Sequence, residues 1–155
     1  MADAFISHLE WTGATRDPAT FSRDLTVALE TITLSMSSAP SYRGDPSRTN
    51  PEQLFVAALS ACQALTYLFL AARNGVVVLG YTDDAEGRLA LKDGKMRMSR
   101  VTLRPRITIE AGGNETRARE LIAKAHDGCF IANSVSTSVE IAPVFAFTES
   151  AAPAK

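Results

Sequence analysis

From Gln53 to Ala72 the chain runs twenty residues without an Asp, Glu, Lys or Arg. Nothing else in it limits the possible folds as strongly. The signals at both ends are those of a helix. Asn50 suits an N-cap, Pro51 the first helical position, and Gln53 follows Asn50 at capping-box spacing. Arg73 falls in the last turn and Gly75 is a C-terminal stop. The stretch is long enough to cross a bilayer, but Ser60, Gln63 and Thr66 interrupt it and no basic cluster flanks it. A helix buried on nearly every face of a soluble α+β protein is the better expectation. One chain of this length, with mostly antiparallel strands, covers only one side of such a helix. An obligate homodimer with central, buried helices is therefore expected.

The remaining sequence reads as strands around two helices. Phe5–Thr12, Leu25–Leu29 and Thr31–Ser35 are rich in β-formers, and 37–50 is a loop of Ser, Pro, Gly, Asp and Arg. Val76–Tyr81, Ala85–Leu91 and one long run, Met98–Ile109, follow as strands; in the last, Val101, Leu103 and Pro105 share a face. Asn114 is placed to cap a second helix, 115–126, amphipathic through Ala118, Leu121, Ile122 and Ala125 and ended by Gly128. A final strand is expected over 136–141. Residues 1–148 are expected to form a single domain, with 149–155 a disordered tail.

Charge is nearly balanced, 16 Lys+Arg against 17 Asp+Glu, which argues against a nucleic-acid partner. The N-terminus lacks the basic and apolar regions of a secretory signal, so a cytoplasmic protein is expected. Two cysteines, with only His8 and His126 beside them, show neither C-x-x-C nor H-x3-H spacing. No disulfide scaffold and no metal site is expected.

Cys62 lies mid-helix and Cys129 just after the second helix. Each is explicable as a small buried hydrophobe. The helix dipole fades within a turn, so it does not activate Cys62; a reactive thiolate there requires a cation from elsewhere. Arg43, Arg48, Arg23 and Arg16 are the candidates. Glu52 is explicable as a first-turn acid favouring the helix N-terminus. It stands ten residues from Cys62, about 15 Å of helical rise, so the two meet only across an antiparallel, two-fold-related pair of helices.

The segments Tyr42-Arg43-Gly44-Asp45-Pro46-Ser47-Arg48-Thr49-Asn50-Pro51-Glu52-Gln53-Leu54, Ala57-Ala58-Leu59-Ser60-Ala61-Cys62 and Cys129-Phe130-Ile131-Ala132-Asn133-Ser134-Val135 resemble the OsmC/Ohr family. This is the osmotically inducible and organic hydroperoxide resistance group. The resemblance extends from about Trp11 to Ile141 and is closest to the OsmC-like branch. It implies an α+β fold in which an antiparallel sheet wraps a long central buried helix, in an intertwined homodimer. It also implies reduction of organic hydroperoxides by a peroxidatic Cys62 and a resolving Cys129. Glu52 would orient the arginine that activates Cys62; Arg43 matches one family position for it within one residue, and Arg16 or Arg23 another. No bound cofactor is implied, only an external dithiol reductant such as one of the lipoyl type. Apolar residues such as Phe55, Tyr67 or Phe130 would favour bulky peroxides. Where many members carry an aromatic residue or His after the first Cys, this chain has Gln63.

Two other readings fit the residues. A long apolar helix among antiparallel strands also describes hot-dog-type thioesterases, in which Glu52 would serve as base. A non-enzymatic dimer binding an apolar ligand is the other.

Overall fold

The computed structural model describes residues 3–149, so residues 150–155 of the expected tail lie outside it. The chain divides into two compact units, Met1–Phe55 and Val56–Lys155. The division falls one turn into the long helix.

In the first unit β1 (His8–Glu10), β2 (Leu25–Ala28) and β3 (Thr33–Met36) form an antiparallel meander in that order. A turn closed by Leu29 N–H donating to the Ile32 carbonyl at 2.8 Å joins β2 to β3. Trp11 donates to the Ser22 carbonyl and meets Phe21 edge-on, fastening the long β1–β2 connection. The segment read as a structureless loop has internal order. It contains a 3-10 turn, Pro40–Tyr42, closed by Arg43 in the left-handed region at φ 65°. A bridge joins Met36 to Thr49. Gly44 is obligatory there, since a Cβ would lie 1.6 Å from the Ser38 carbonyl oxygen. Asp45 gathers the backbone N–H and hydroxyl of Ser47 and the Arg48 guanidinium, and its own N–H donates to Ser37 Oγ. The loop leads into α1 (Pro51–Arg73). Its capping box forms as expected: Gln53 N–H donates to Asn50 Oδ1 at 2.9 Å, and Asn50 N–H to Gln53 Oε1 at 3.1 Å.

In the second unit, α1 buries one stripe, Leu59, Gln63, Tyr67 and Ala71, spaced four apart. Burial on nearly every face is therefore not achieved by one chain: Leu65 is 68% exposed and Phe69 57%. Helix α2 (Glu115–Gly128) lies against the stripe and buries the four residues its periodicity predicted. Its N-cap is Asn114, whose side chain accepts from Arg117 N–H. Gln63 and Tyr67 each donate to an α2 carbonyl, of Ile122 and Ala118 respectively. Their polar ends are thus satisfied within the apolar seam. Helix α1 stops at Gly75, in the left-handed region at φ 69°, as expected.

The strands are β4 (Val78–Asp83), β5 (Glu86–Lys92), β6 (Lys95–Leu103), β7 (Pro105–Ile109), β8 (Ser138–Ile141) and β9 (Val144–Phe147). They form two sheets, ordered β4-β7-β9 and β5-β6-β8. The run expected as one strand over 98–109 breaks at Arg104. The chain changes sheet there, and does so at the same level at 84–85 and 142–143. Asp83 holds the break: one carboxylate oxygen accepts from Arg104 N–H at 2.6 Å, the other from Ser60 of α1 at 2.5 Å. Pro105, lacking an N–H, opens β7. The expected face is correct, with Val101, Leu103, Pro105, Ile107 and Ile109 all buried.

The expectation of an antiparallel sheet needs one correction. β6 with β8 and β7 with β9 pair in parallel, because α2 carries the chain back across the sheet before β8 begins. Strand β9 was not anticipated. Its alternation puts Phe145 and Phe147 against the core of Tyr67, Ile107, Ile109 and Leu121.

Candidate functional site

α2 ends at Gly128, Cys129 takes an extended conformation, and a four-residue helix α3 (Phe130–Asn133) starts immediately. Cys129 is 1% exposed and caps α3; its carbonyl accepts from Asn133 N–H at 3.0 Å. The first N–H groups of a helix have no partner within it. Here those of Phe130 and Ile131 act on Cys62, drawing its thiol downward, and those of Ile131 and Ala132 act on Cys129. Both thiols are free, Cys62 half-buried and Cys129 buried, and each influences the ionisation of the other.

This arrangement sets the two thiols apart. Burial pushes Cys62 up, but the Cys129 thiol, the Ile131 and Phe130 amides and the Thr66 hydroxyl outweigh it and hold it below the ordinary thiol range. Burial, together with the bond to Cys62, pushes Cys129 up. The pair therefore ionises first at Cys62, with Cys129 as proton donor to it. Among the described residues no charged side chain contributes to the Cys62 shift. The cation that sequence reasoning required is replaced within this chain by backbone amides, a thiol and a hydroxyl. The amides and Thr66 went unanticipated. The signal for α3 was present, an apolar run resuming straight after Gly128 and Cys129.

The other expected residues fall in the first unit. Arg23 donates to the Phe21 and Pro18 carbonyls and stacks over the Phe21 ring. Arg48 pairs with Asp45 at 3.3 Å and Asp24 at 3.6 Å. Arg43 is exposed, and neither it nor Arg16 makes a side-chain hydrogen bond or ion pair among the described residues. Glu52 Oε2 is buried without a hydrogen-bond partner, so Arg43 and Glu52 do not pair within one chain. Tyr67 does not offer an apolar wall to a substrate: it is fully buried, bonded to α2, its hydroxyl pushed up to about 12 by desolvation. Phe130, 82% exposed, is free to do so. Two hollows of about 350 Å³ open elsewhere, and neither is lined by a cysteine.

A family model described as OsmC-like protein matches residues 44–143, about two thirds of the chain. The chain belongs to the OsmC-like family. No curated protein matches its sequence. Among solved structures, an OsmC-like protein of unknown function from Vibrio cholerae is similar at 28% identity and TM-score 0.84, covering 92% of this chain and 100% of that one. An organic hydroperoxide resistance protein from Elizabethkingia anophelis matches at TM-score 0.69 and 18% identity, covering 96% and 99% of the two chains. One from Legionella pneumophila matches at TM-score 0.68 and 21% identity, covering 94% and 98%. These two likenesses establish the α+β fold of the OsmC-like chain. Family membership supports a peroxidase-like redox role for it.

Proposed function

We propose that this chain is a two-cysteine peroxidase that reduces organic hydroperoxides to alcohols. The observation that carries the reading is the mutual influence of two free thiols, Cys62 and Cys129, with Cys62 favoured as thiolate and Cys129 as thiol. The thiolate, the form that attacks, takes the distal oxygen of R–O–O–H. The O–O bond breaks, RO⁻ takes a proton, and Cys62 becomes sulfenic acid, oxidised by two electrons. Cys129 then attacks the sulfenic sulfur, water leaves, and a Cys62–Cys129 disulfide remains. An external dithiol returns both thiols by exchange and is itself oxidised. The cycle suits a reducing cytoplasm, where such dithiols are maintained, and uses no metal or bound cofactor.

The active unit in this reading is a homodimer. Leu65 and Phe69 leave α1 with an apolar face uncovered in the single chain, which a second copy of α1 would cover. The buried, unpaired oxygen of Glu52 and the unpaired Arg43 are consistent with a pair completed on dimerisation. There the guanidinium would neutralise charge on the leaving oxygen while Glu52 fixed its planar fork. The abutting cysteines serve no step of a thioesterase, and an apolar-ligand carrier needs no lowered thiol.

The deciding experiment treats reduced protein with one equivalent of cumene hydroperoxide, then counts thiols and reads the intact mass. Loss of both thiols with a mass decrease of about 2 Da is expected. Cys62→Ser should abolish turnover, while Cys129→Ser should allow one reduction and leave Cys62 as sulfenic or sulfinic acid. Two intact thiols after peroxide, or turnover by Cys62→Ser, would overturn the reading.

A further inference from the structure

Cys129 is the single non-helical residue between α2 and α3, extended at φ −74° and ψ 112°. Its side chain is enclosed, so the backbone at this hinge aims the thiol. The hinge lies against the Cys62 turn of α1. A Cβ on Gly128 would meet the Thr66 methyl at 3.5 Å, and Thr66 donates to the Cys62 carbonyl one turn back at 2.8 Å. A disulfide tolerates only a narrow geometry, so whatever fixes the hinge sets how readily the two sulfurs join. Helix α3 cannot fix it alone, because a single turn is too short to hold itself. Asn133, its last residue, supplies the tie. Its backbone N–H donates to the Cys129 carbonyl at 3.0 Å, and its Nδ2 to the Asp127 carbonyl of α2 at 2.8 Å. The second bond takes up one of the carbonyls that a helix C-terminus leaves free. Among the described residues it is the one side-chain hydrogen bond from α3 to α2. Ser134, bonded to the Phe130 carbonyl at 2.7 Å, stiffens α3 without crossing the hinge.

We propose that Asn133 is a positioning residue for Cys129, clamping α3 to α2 so that Cys129 closes on oxidised Cys62 before a second peroxide arrives. The inference rests on the Cys62–Cys129 disulfide of the reading above. Two steps compete for the Cys62 sulfenic acid. In one, the Cys129 sulfur bonds the Cys62 sulfur, the S–O bond breaks, and water leaves with the thiol proton. In the other, a second R–O–O–H transfers its distal oxygen to the sulfenic sulfur, leaving R–OH and a sulfinic acid. The first is intramolecular and gains from a fixed hinge; the second is indifferent to it. The partition is decided after Cys62 has been oxidised, so it does not depend on how the Cys62 thiol ionises.

The test treats reduced wild type, Asn133→Ala, Asn133→Asp and Asn133→Gln with increasing cumene hydroperoxide in the absence of dithiol. Intact mass separates the disulfide, about 2 Da lighter, from the sulfinic acid, about 32 Da heavier. Circular dichroism and thermal melting confirm the fold, which an exposed position should leave intact. The peroxide concentration giving equal amounts of the two products should fall about three- to fivefold in Asn133→Ala, the scale of one net hydrogen bond. Asn133→Asp, ionised and unable to donate, should fall as far; Asn133→Gln keeps the amide and should lie nearer wild type. If Asn133→Ala does not fold, Asn133→Asp against Asn133→Gln makes the same comparison. A second readout needs no peroxide: in oxidised and reduced dithiothreitol, the equilibrium constant for the disulfide should be lower in Asn133→Ala by the same factor. An unchanged partition in the folded variants lacking the amide, or an equal fall in Asn133→Gln, overturns the proposal. A wild type that forms no disulfide with peroxide, yet shows the Asn133 dependence in dithiothreitol, overturns the peroxidase reading and leaves the clamp in place. No disulfide under either condition overturns both.

Discussion

Phe130→Pro isolates the contribution of one backbone N–H to the Cys62 thiolate. Phe130 is the first residue of α3, where proline is best tolerated because that N–H has no helical partner. The preceding Cys129, at φ −74° and ψ 112°, already has the extended conformation that proline demands of its neighbour. The Phe130 ring is 82% exposed, so little packing is lost. What disappears is a donor to the sulfur. A hydrogen bond to a charged group contributes about 1.5–3 kcal/mol. The Ile131 amide and Thr66 remain to compensate, so the lower end applies, about one pKa unit upward.

The effect on rate has two opposing parts. In a Cys129→Ser background Cys62 is the chain's only thiol, and an aryl disulfide probe reports on it alone. Below the midpoint the thiolate fraction falls about tenfold, but the more basic thiolate is intrinsically a better nucleophile, with a Brønsted slope of about 0.4–0.5. The net fall is about three- to fourfold on the acid limb, and the alkaline plateau should rise about threefold. The two pH–rate curves therefore cross. Phe130→Ala, which loses the ring and keeps the amide, should follow the parent curve. Coincident curves for Phe130→Pro and Phe130→Ala would refute the claim that the α3 amide holds the thiolate.

Asp83→Ala removes the acceptor that joins Ser60 of α1 to the Arg104 break between β6 and β7. With the Arg104 amide partly offset by water, the cost should be about 2–3 kcal/mol, or about 4–12 °C in Tm, with Asp83→Asn recovering about half. Urea unfolding at unchanged m-value checks this, and a loss under 0.5 kcal/mol would contradict it. Leu65→Glu charges an exposed α1 position, which on a free surface changes stability by about 0.5 kcal/mol or less. If a second copy covers α1, sedimentation should instead show a fall from two chain masses to one; an unchanged monomer in the parent protein would remove the dimer from the proposal.

The features legible in the sequence are those written in side-chain types at fixed spacing. The Asn50 and Gln53 capping box, the Asn114 cap, the Gly75 stop and the buried set Ala118, Leu121, Ile122 and Ala125 all stand where the pattern put them. So does the inward face of Val101, Leu103 and Pro105. The break at Arg104 was hidden because the alternation of apolar and polar residues continues through it unchanged. What stops the strand is a carboxylate twenty-one residues earlier in the chain, Asp83. Strand β9 was hidden because four residues after Pro143 are too few to show a period. The parallel pairings depend on the return path through α2, which no local pattern encodes.

The site illustrates the same division more sharply. The sequence shows which side chains can hold an anion, so on side chains alone a thiolate in an uncharged helix requires an arginine. Backbone amides have no letter of their own. They become donors only where helical pairing lapses, and here it lapses because α2 stops at Gly128 and α3 begins two residues later. The two cysteines, 67 residues apart in sequence, are brought together by that interruption. It places Cys129 as the N-cap residue of α3 and leaves the next amides free of helical partners, where those of Phe130 and Ile131 lower the Cys62 thiol. Any arginine supplied by dimerisation then acts on a sulfur already biased toward thiolate. Its larger effect would fall on the departing alkoxide, where negative charge develops only in the transition state and neutral amides occupied by the sulfur have nothing left to give. An arginine substitution at Arg43 should accordingly depress peroxide turnover much more than it shifts the Cys62 titration.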